Sequence, residues 1–209
     1  MIEDGYSKRE EFLNIVTHGF GFLLSLIAFP YIIQKAFSYP QIWMTISLII
    51  YGASLMVLFL ASTLYHASNH PKKRKRLKIF DHAAIYVLIA GSYSPFCLVA
   101  LNSNLGWYMF IAVWLFALIG VILKLFFTGK FDKISTLMYV LMGWQVVIFI
   151  NSLMDALSPN GLYFLIAGGV FYTIGAGLYL LDKIPYNHAV FHVFVLLGGL
   201  SHFISIYTL

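Results

Sequence analysis

The sequence predicts an all-α fold: a seven-transmembrane-helix bundle with its N-terminus in the cytoplasm and its C-terminus outside. Three observations carry that prediction. First, 61% of the 209 residues are hydrophobic and 10% are charged, against about 25% charged in an average soluble domain; the mean hydropathy is +0.86. Second, seven apolar runs stand at roughly 13–34, 42–66, 79–101, 105–127, 134–155, 161–181 and 188–208. Each is long enough to cross about 30 Å of hydrocarbon, which takes about 20 helical residues. Third, the basic residues fall almost wholly on one side. The side of the N-terminus holds Lys8, Arg9, the cluster from Lys72 to Lys78, Lys124, Lys130, Lys133 and Lys183, and the other side holds only Lys35. The positive-inside rule places that basic side in the cytoplasm. Short loops make successive helices antiparallel neighbours and leave no room for a soluble domain, so residues 1–209 are read as a single integral membrane domain.

Residues 1–11 are polar, with Glu3, Asp4, Lys8, Arg9, Glu10 and Glu11. They do not make the basic n-region of a signal peptide, and the apolar run after them is too long for an h-region, so span one is read as retained. Glu11, Asn14 and His18 follow at spacings of three and four, on one helix face. That face turns either inward, as support for a site, or toward the headgroups. Span two closes with Ser62-Thr63-Leu64-Tyr65-His66. The run Lys72-Lys73-Arg74-Lys75-Arg76 is read as a loop that determines topology and attracts anionic lipid, at about 1 kcal/mol per basic residue. Nucleic acid is not an expected partner for a run pressed against the bilayer.

Span three opens with Asp81 and His82, and Pro95 within it should kink the helix. Tyr39, Trp43, Trp107 and Tyr108 fall at outer helix ends, where aromatic anchors belong. Gly169, Thr173 and Gly177 recur every fourth residue in span six and are read as a packing stripe. Cys97 stands alone, so no intrachain disulfide forms.

The start of span seven, Asn187-His188-Ala189-Val190-Phe191-His192, carries the strongest chemical signal. Two histidines four apart share a helix face, and imidazole is the commonest zinc ligand. No charged residue follows from Ala189 to Leu209. The helix directions bring Ser62, His66, Asp81, His188 and His192 to one level at the cytoplasmic end. Three imidazoles would fill three corners of a tetrahedral zinc site, with a water at the fourth, which is the pattern of a catalytic site. Asp81 would hold that water or take its proton, and Ser62, one turn from His66, would bond the water or a substrate carbonyl. Plainer readings stand beside these. A histidine near the interface also serves as an ordinary amphipathic residue. Asp81 also suits the cap of span three, and Ser62 also bonds back to its own helix. Copper, nickel and iron accept imidazole as well. His70 is read as solvated, and His202, about three turns past His192, as too distant to share its ion.

The ordered set Glu11-x-x-Asn14-x-x-Thr17-His18-Gly19, Ser62-x-x-x-His66, Asp81-His82 with Gly91-Ser92-Tyr93-Ser94-Pro95-Phe96, and His188-x-x-x-His192 with Ser201-His202-Phe203 resembles a known family. It looks like the haemolysin III proteins of bacteria, a branch of the progestin and adipoQ receptor family, over nearly the whole chain. The resemblance implies a seven-helix bundle in a bacterial plasma membrane and zinc on His66, His188 and His192. It also implies a zinc-bound water held at Asp81 with Ser62 beside it. Glu11, Asn14, His18 and His82 are candidate outer support. The family is similar to alkaline ceramidases, which hydrolyse a lipid amide. The polar N-terminal segment is much shorter than in the animal receptors, which argues against signalling through a large cytoplasmic domain.

The expected function is therefore zinc-dependent hydrolysis of a lipid amide or ester, with a membrane lipid or fatty-acyl ligand as partner. A non-enzymatic membrane sensor or regulator with structural zinc is the alternative. A cytolysin is the third reading, ranked last because a water-filled pore needs a polar lining that these spans do not offer.

Overall fold

The computed structural model describes residues 6–181 and 184–209; Glu3, Asp4 and Lys183 of the reading above lie outside the described residues. The described residues form eight α-helices: α1 Lys8–Ser38, α2 Ile42–Ala67, α3 Pro71–Pro95, α4 Asn104–Phe127, α5 Asp132–Gly143, α6 Ile150–Ala156, α7 Pro159–Tyr179 and α8 Asn187–Tyr207. They make seven helices long and apolar enough to cross a membrane, because α5 and α6 belong to one span. In chain order, α1 packs against α2 and α8, α2 against α3, α3 against α4, and α7 against α8. Large apolar side chains such as Phe37, Phe126 and Ile148 point outward, as they do where lipid replaces water as the solvent. The most apolar window of the third span is 72% buried, against 22% for the first and fourth. That span is therefore the central post of the bundle.

Several boundaries differ from the sequence reading, each for a local reason. The third span begins at Pro71 rather than near residue 79. Proline at the first helical position loses nothing, since that N–H has no helical partner anyway. The basic run is therefore not a loop but the first turns of α3, and the connection from α2 is only Ser68 to His70. Lys72, Lys73, Lys75 and Arg76 are exposed there, as is His70, while Arg74 is buried. Beyond Pro95, α3 passes into a π-helical turn, Phe96–Ala100, closed by Leu101 N–H to the Phe96 carbonyl at 2.9 Å.

The fifth span is broken by a 3₁₀ segment, Trp144–Phe149. Tyr93 of α3 serves the backbone at the break: its hydroxyl donates to the Gly143 carbonyl at 2.5 Å and accepts from Val146 N–H at 2.8 Å. Nothing in the sequence of span five marks this, because the partner is on another helix. Tyr93→Phe would remove both of these bonds at the break and should lower stability by about 1–3 kcal/mol, at about 0.5–1.5 kcal/mol for each; a thermal melt in detergent checks it.

The stripe in span six is also corrected. A Cβ added at Gly169 or Gly177 would meet nothing within 4 Å, so neither is a packing contact. The close approaches use Gly168, against His202, and Gly175, against Phe194, so the glycines of the packed face stand seven apart and are not those of the stripe. At the end of the bundle away from the basic residues, Trp43 and Trp107 meet edge to face at 4.7 Å, joining the starts of α2 and α4.

Candidate metal centre

Three histidines come together at the basic end of the bundle. His66 ends α2, and His188 and His192 share one face at the start of α8. Each is buried, and one ligand atom from each lies within 4.8 Å of the others. Among the described residues no other such set of His, Cys, Asp or Glu forms.

The outer nitrogens of the three rings are all held by α1 and the residues before it. His66 Nδ1 donates to Glu11 Oε2 at 2.7 Å, and the Asn14 amide stands 3.3 Å from the same nitrogen. His188 Nδ1 meets the Tyr6 hydroxyl at 3.1 Å. His192 Nδ1 lies 3.3 Å from Thr17 Oγ1, whose own proton goes to the carbonyls of Leu13 and Asn14 at 2.8 and 3.1 Å. Thr17 therefore accepts, and His192 carries its proton on Nδ1. His66 does the same, because its Nδ1 faces a carboxylate. In both rings the lone pair is left on Nε2, the atom that binds a metal when an outer partner fixes the tautomer.

This donor set fits a metal ion. His66 Nε2 and His188 Nε2 are 3.2 Å apart. Two imidazoles on one tetrahedral zinc, each at about 2.0–2.1 Å, would stand about 3.3 Å apart. His18 stacks on His192 with centroids 3.5 Å apart and planes 9° apart, and meets Phe59 edge-on at 5.2 Å. His18 thus holds the plane of a ligand ring without belonging to the compact set.

Asp81 is not among the three ligands. It also does not cap α3, which starts ten residues earlier at Pro71; the capping reading falls for that reason. Asp81 is buried, close enough to His18, His66 and His188 for charge interaction, and lines a cavity with His18, His188 and His192. His82 follows it, with Nδ1 3.4 Å from Asp81 Oδ2 and its carbonyl taken by Tyr139 Oη at 2.9 Å. Ser62 is fully buried, and its hydroxyl has no hydrogen-bond partner among the described residues, so it does not bond back to its helix. A buried hydroxyl without a partner one turn from His66 is a place for a missing polar group.

The cavity measures about 350 Å³ and runs between α3, span five, α7 and α8. Its upper wall is polar, with Asp81, His82 and Lys124, its middle is apolar, with Leu88, Ile89 and Val195, and Ser92 lines it further along α3. His202, set aside in the sequence reading as too far to share the ion, lines this cavity. Tyr6 and Arg74 were missed altogether. Arg74 was hidden among four other basic residues, and Tyr6 lies in a polar lead-in with no periodicity to read.

A membrane bundle of seven helices that gathers three buried imidazoles, their outer partners and a largely apolar cavity defines a class: polytopic membrane proteins with an internal histidine cluster that could hold a metal ion. Within that class the comparisons are specific. A family model described as "Haemolysin-III related" matches residues 6–203. The hemolysin-3 of Bacillus cereus is 41% identical over 198 residues, covering 95% of this chain and 90% of its own length. The hemolysin-3 homolog of Bacillus subtilis (strain 168) is 41% identical over 201 residues, covering 96% and 94%. The human monocyte to macrophage differentiation factor is 28% identical over 211 residues, covering 95% and 83%. The chain belongs to the haemolysin-III related family and is a multi-pass membrane protein, with the bacterial plasma membrane as its site.

Proposed function

We propose that the protein is a zinc-dependent hydrolase of a lipid amide or ester, working at the cytoplasmic end of the bundle. The observation that carries this is the junction of the histidine set with the cavity: His188 and His192 are at once members of the set and part of the cavity wall. A zinc ion on His66, His188 and His192 would supply Lewis acidity and acidify a coordinated water.

The protein's own residues would do the rest. Asp81, in the cavity wall beside the set, is placed to take the proton of the attacking water and return it to the leaving amine or alcohol. Water is thereby added across the C–N or C–O bond, giving a fatty acid and the freed headgroup. Ser62 has the free hydroxyl to donate toward the oxygen that gains charge. The acyl chain occupies the apolar middle of the cavity. Trp144, Val147 and Ile166 line that cavity and are also exposed on the outer surface, so the chain enters sideways from the lipid beside the broken span.

Zinc-restored and chelator-stripped protein, offered N-acyl and O-acyl lipids in detergent, tests the reading by fatty-acid release. Release that requires zinc supports it. Zinc bound one per chain with no release from any lipid class would overturn the hydrolase and leave a regulator whose ion ties α2 to α8. The lytic activity named for the Bacillus relatives is the weaker reading for this chain, because the cavity beside the histidine set has an apolar middle. A water-filled pore requires a polar path.

Gly169 lines the cavity and has open space at its Cβ. Gly169→Leu should therefore fold and hold zinc but lower kcat/KM for long-chain lipids by about tenfold or more, sparing short-chain ones. A chain-length series checks this.

A further inference from the structure

One arginine of the basic run does something its neighbours do not. Arg74 is buried on the inner side of α3's first turns, while Lys72, Lys73, Lys75 and Arg76 are exposed. Its guanidinium forks. Nη2 donates to Glu11 Oε1, and Nη1 donates to the carbonyls of Tyr65 and Ser68 at 3.3 Å each. The plane lies over the Tyr65 ring, 4.5 Å from its centroid. The other oxygen of the same carboxylate takes the His66 Nδ1 proton at 2.7 Å. A chain of buried contacts thus runs from Arg74 through Glu11 to the outer nitrogen of His66.

We infer that Arg74 is a positioning residue for the metal site, acting through Glu11. The inference rests on the reading that the three histidines bind zinc. A buried carboxylate is costly unless it is paired, and Arg74 supplies the pair. With one oxygen held by the arginine, the other is fixed toward His66, which keeps that ring's proton on Nδ1 and its Nε2 lone pair toward the ion. The carboxylate is shared between α3 and α2 but belongs to α1, so the same contact docks the first helix against the site. Lysine cannot replace this fork: it offers a point charge, not a plane that bonds a carboxylate and two carbonyls at once and stacks on Tyr65.

The test is zinc affinity by chelator competition, on detergent-purified full-length wild type, Arg74→Gln, Arg74→Lys, Glu11→Gln and the double variant. Loss of an outer partner of a metal ligand typically weakens binding by about 10–100-fold. Arg74→Gln should fall in that range, and Arg74→Lys should not restore it. Once Glu11 is already Gln, removing Arg74 as well should change affinity by less than about twofold, because the carboxylate through which Arg74 acts is gone. The double variant also leaves no unpaired buried charge, which keeps that comparison available if Arg74→Gln alone folds poorly. A purely structural Arg74 would lower the melting temperature in both backgrounds and leave zinc affinity unchanged. That result, or an equal loss of affinity in both backgrounds, would overturn the inference alone. A wild type that binds no zinc would overturn the metal reading and the inference with it.

Discussion

His192→Ala should abolish stoichiometric metal binding. The substitution removes one of three converging imidazoles and strips His18 of its stacking partner. The remaining two nitrogens, on different helices, cannot complete a tetrahedral site. Affinity should fall by more than the roughly hundredfold that losing an outer partner alone can cost. Elemental analysis of purified protein reads the result directly, as about one zinc per chain in wild type and none in the variant. His66→Ala should behave alike, although it also leaves the Glu11 carboxylate without one of its two partners. His70→Ala is the control, since His70 is exposed and stands outside the set. If carefully prepared wild type holds no metal, the histidines are a polar packing cluster. His192→Ala would then cost stability alone, and the hydrolase reading would fall with the metal.

Asp81→Asn should separate metal from chemistry. Asp81 lies outside the three-ligand set but in the wall of the same cavity. Replacing its carboxylate with an amide keeps the volume and removes the base. The variant should retain its zinc and lose about 10²–10⁴ in kcat on whichever lipid the wild type hydrolyses, the usual contribution of a positioned proton acceptor. KM should change little, because in the proposed mechanism the acyl chain is held by the apolar residues of the cavity and not by Asp81. Loss of zinc together with turnover would assign Asp81 to holding the metal. Undiminished turnover would remove it from the mechanism.

The two variants probe residues that were legible in the sequence to different degrees. His188 and His192 declare themselves locally, since a spacing of four fixes a shared helix face whatever surrounds it. His66 could be joined to them only through topology: antiparallel helices of membrane-spanning length bring the end of one span level with the start of another. Asp81 was legible as a residue at that level but not in its role. Whether it capped a helix depended on where α3 begins, and Pro71 moved that start about eight residues back along a run that reads as a charged loop.

The number of spans, their approximate limits, the clustering of polar groups at one end and the three histidines follow from the sequence by itself. The reason is physical: hydrophobic thickness sets helix length, and short loops then dictate which ends are level. Tertiary structure alone decided which face each side chain presents to which neighbour. It turned Arg74 inward to Glu11 while leaving the other basic residues of the run exposed. It also gave the outer nitrogens of all three histidines to α1 and its lead-in, broke the fifth span against Tyr93, and made Gly169 a cavity wall instead of a packing contact. Each of these depends on a partner distant in sequence. The periodicity of a helix gives the side chains that share a face, but only the packed bundle determines what that face meets.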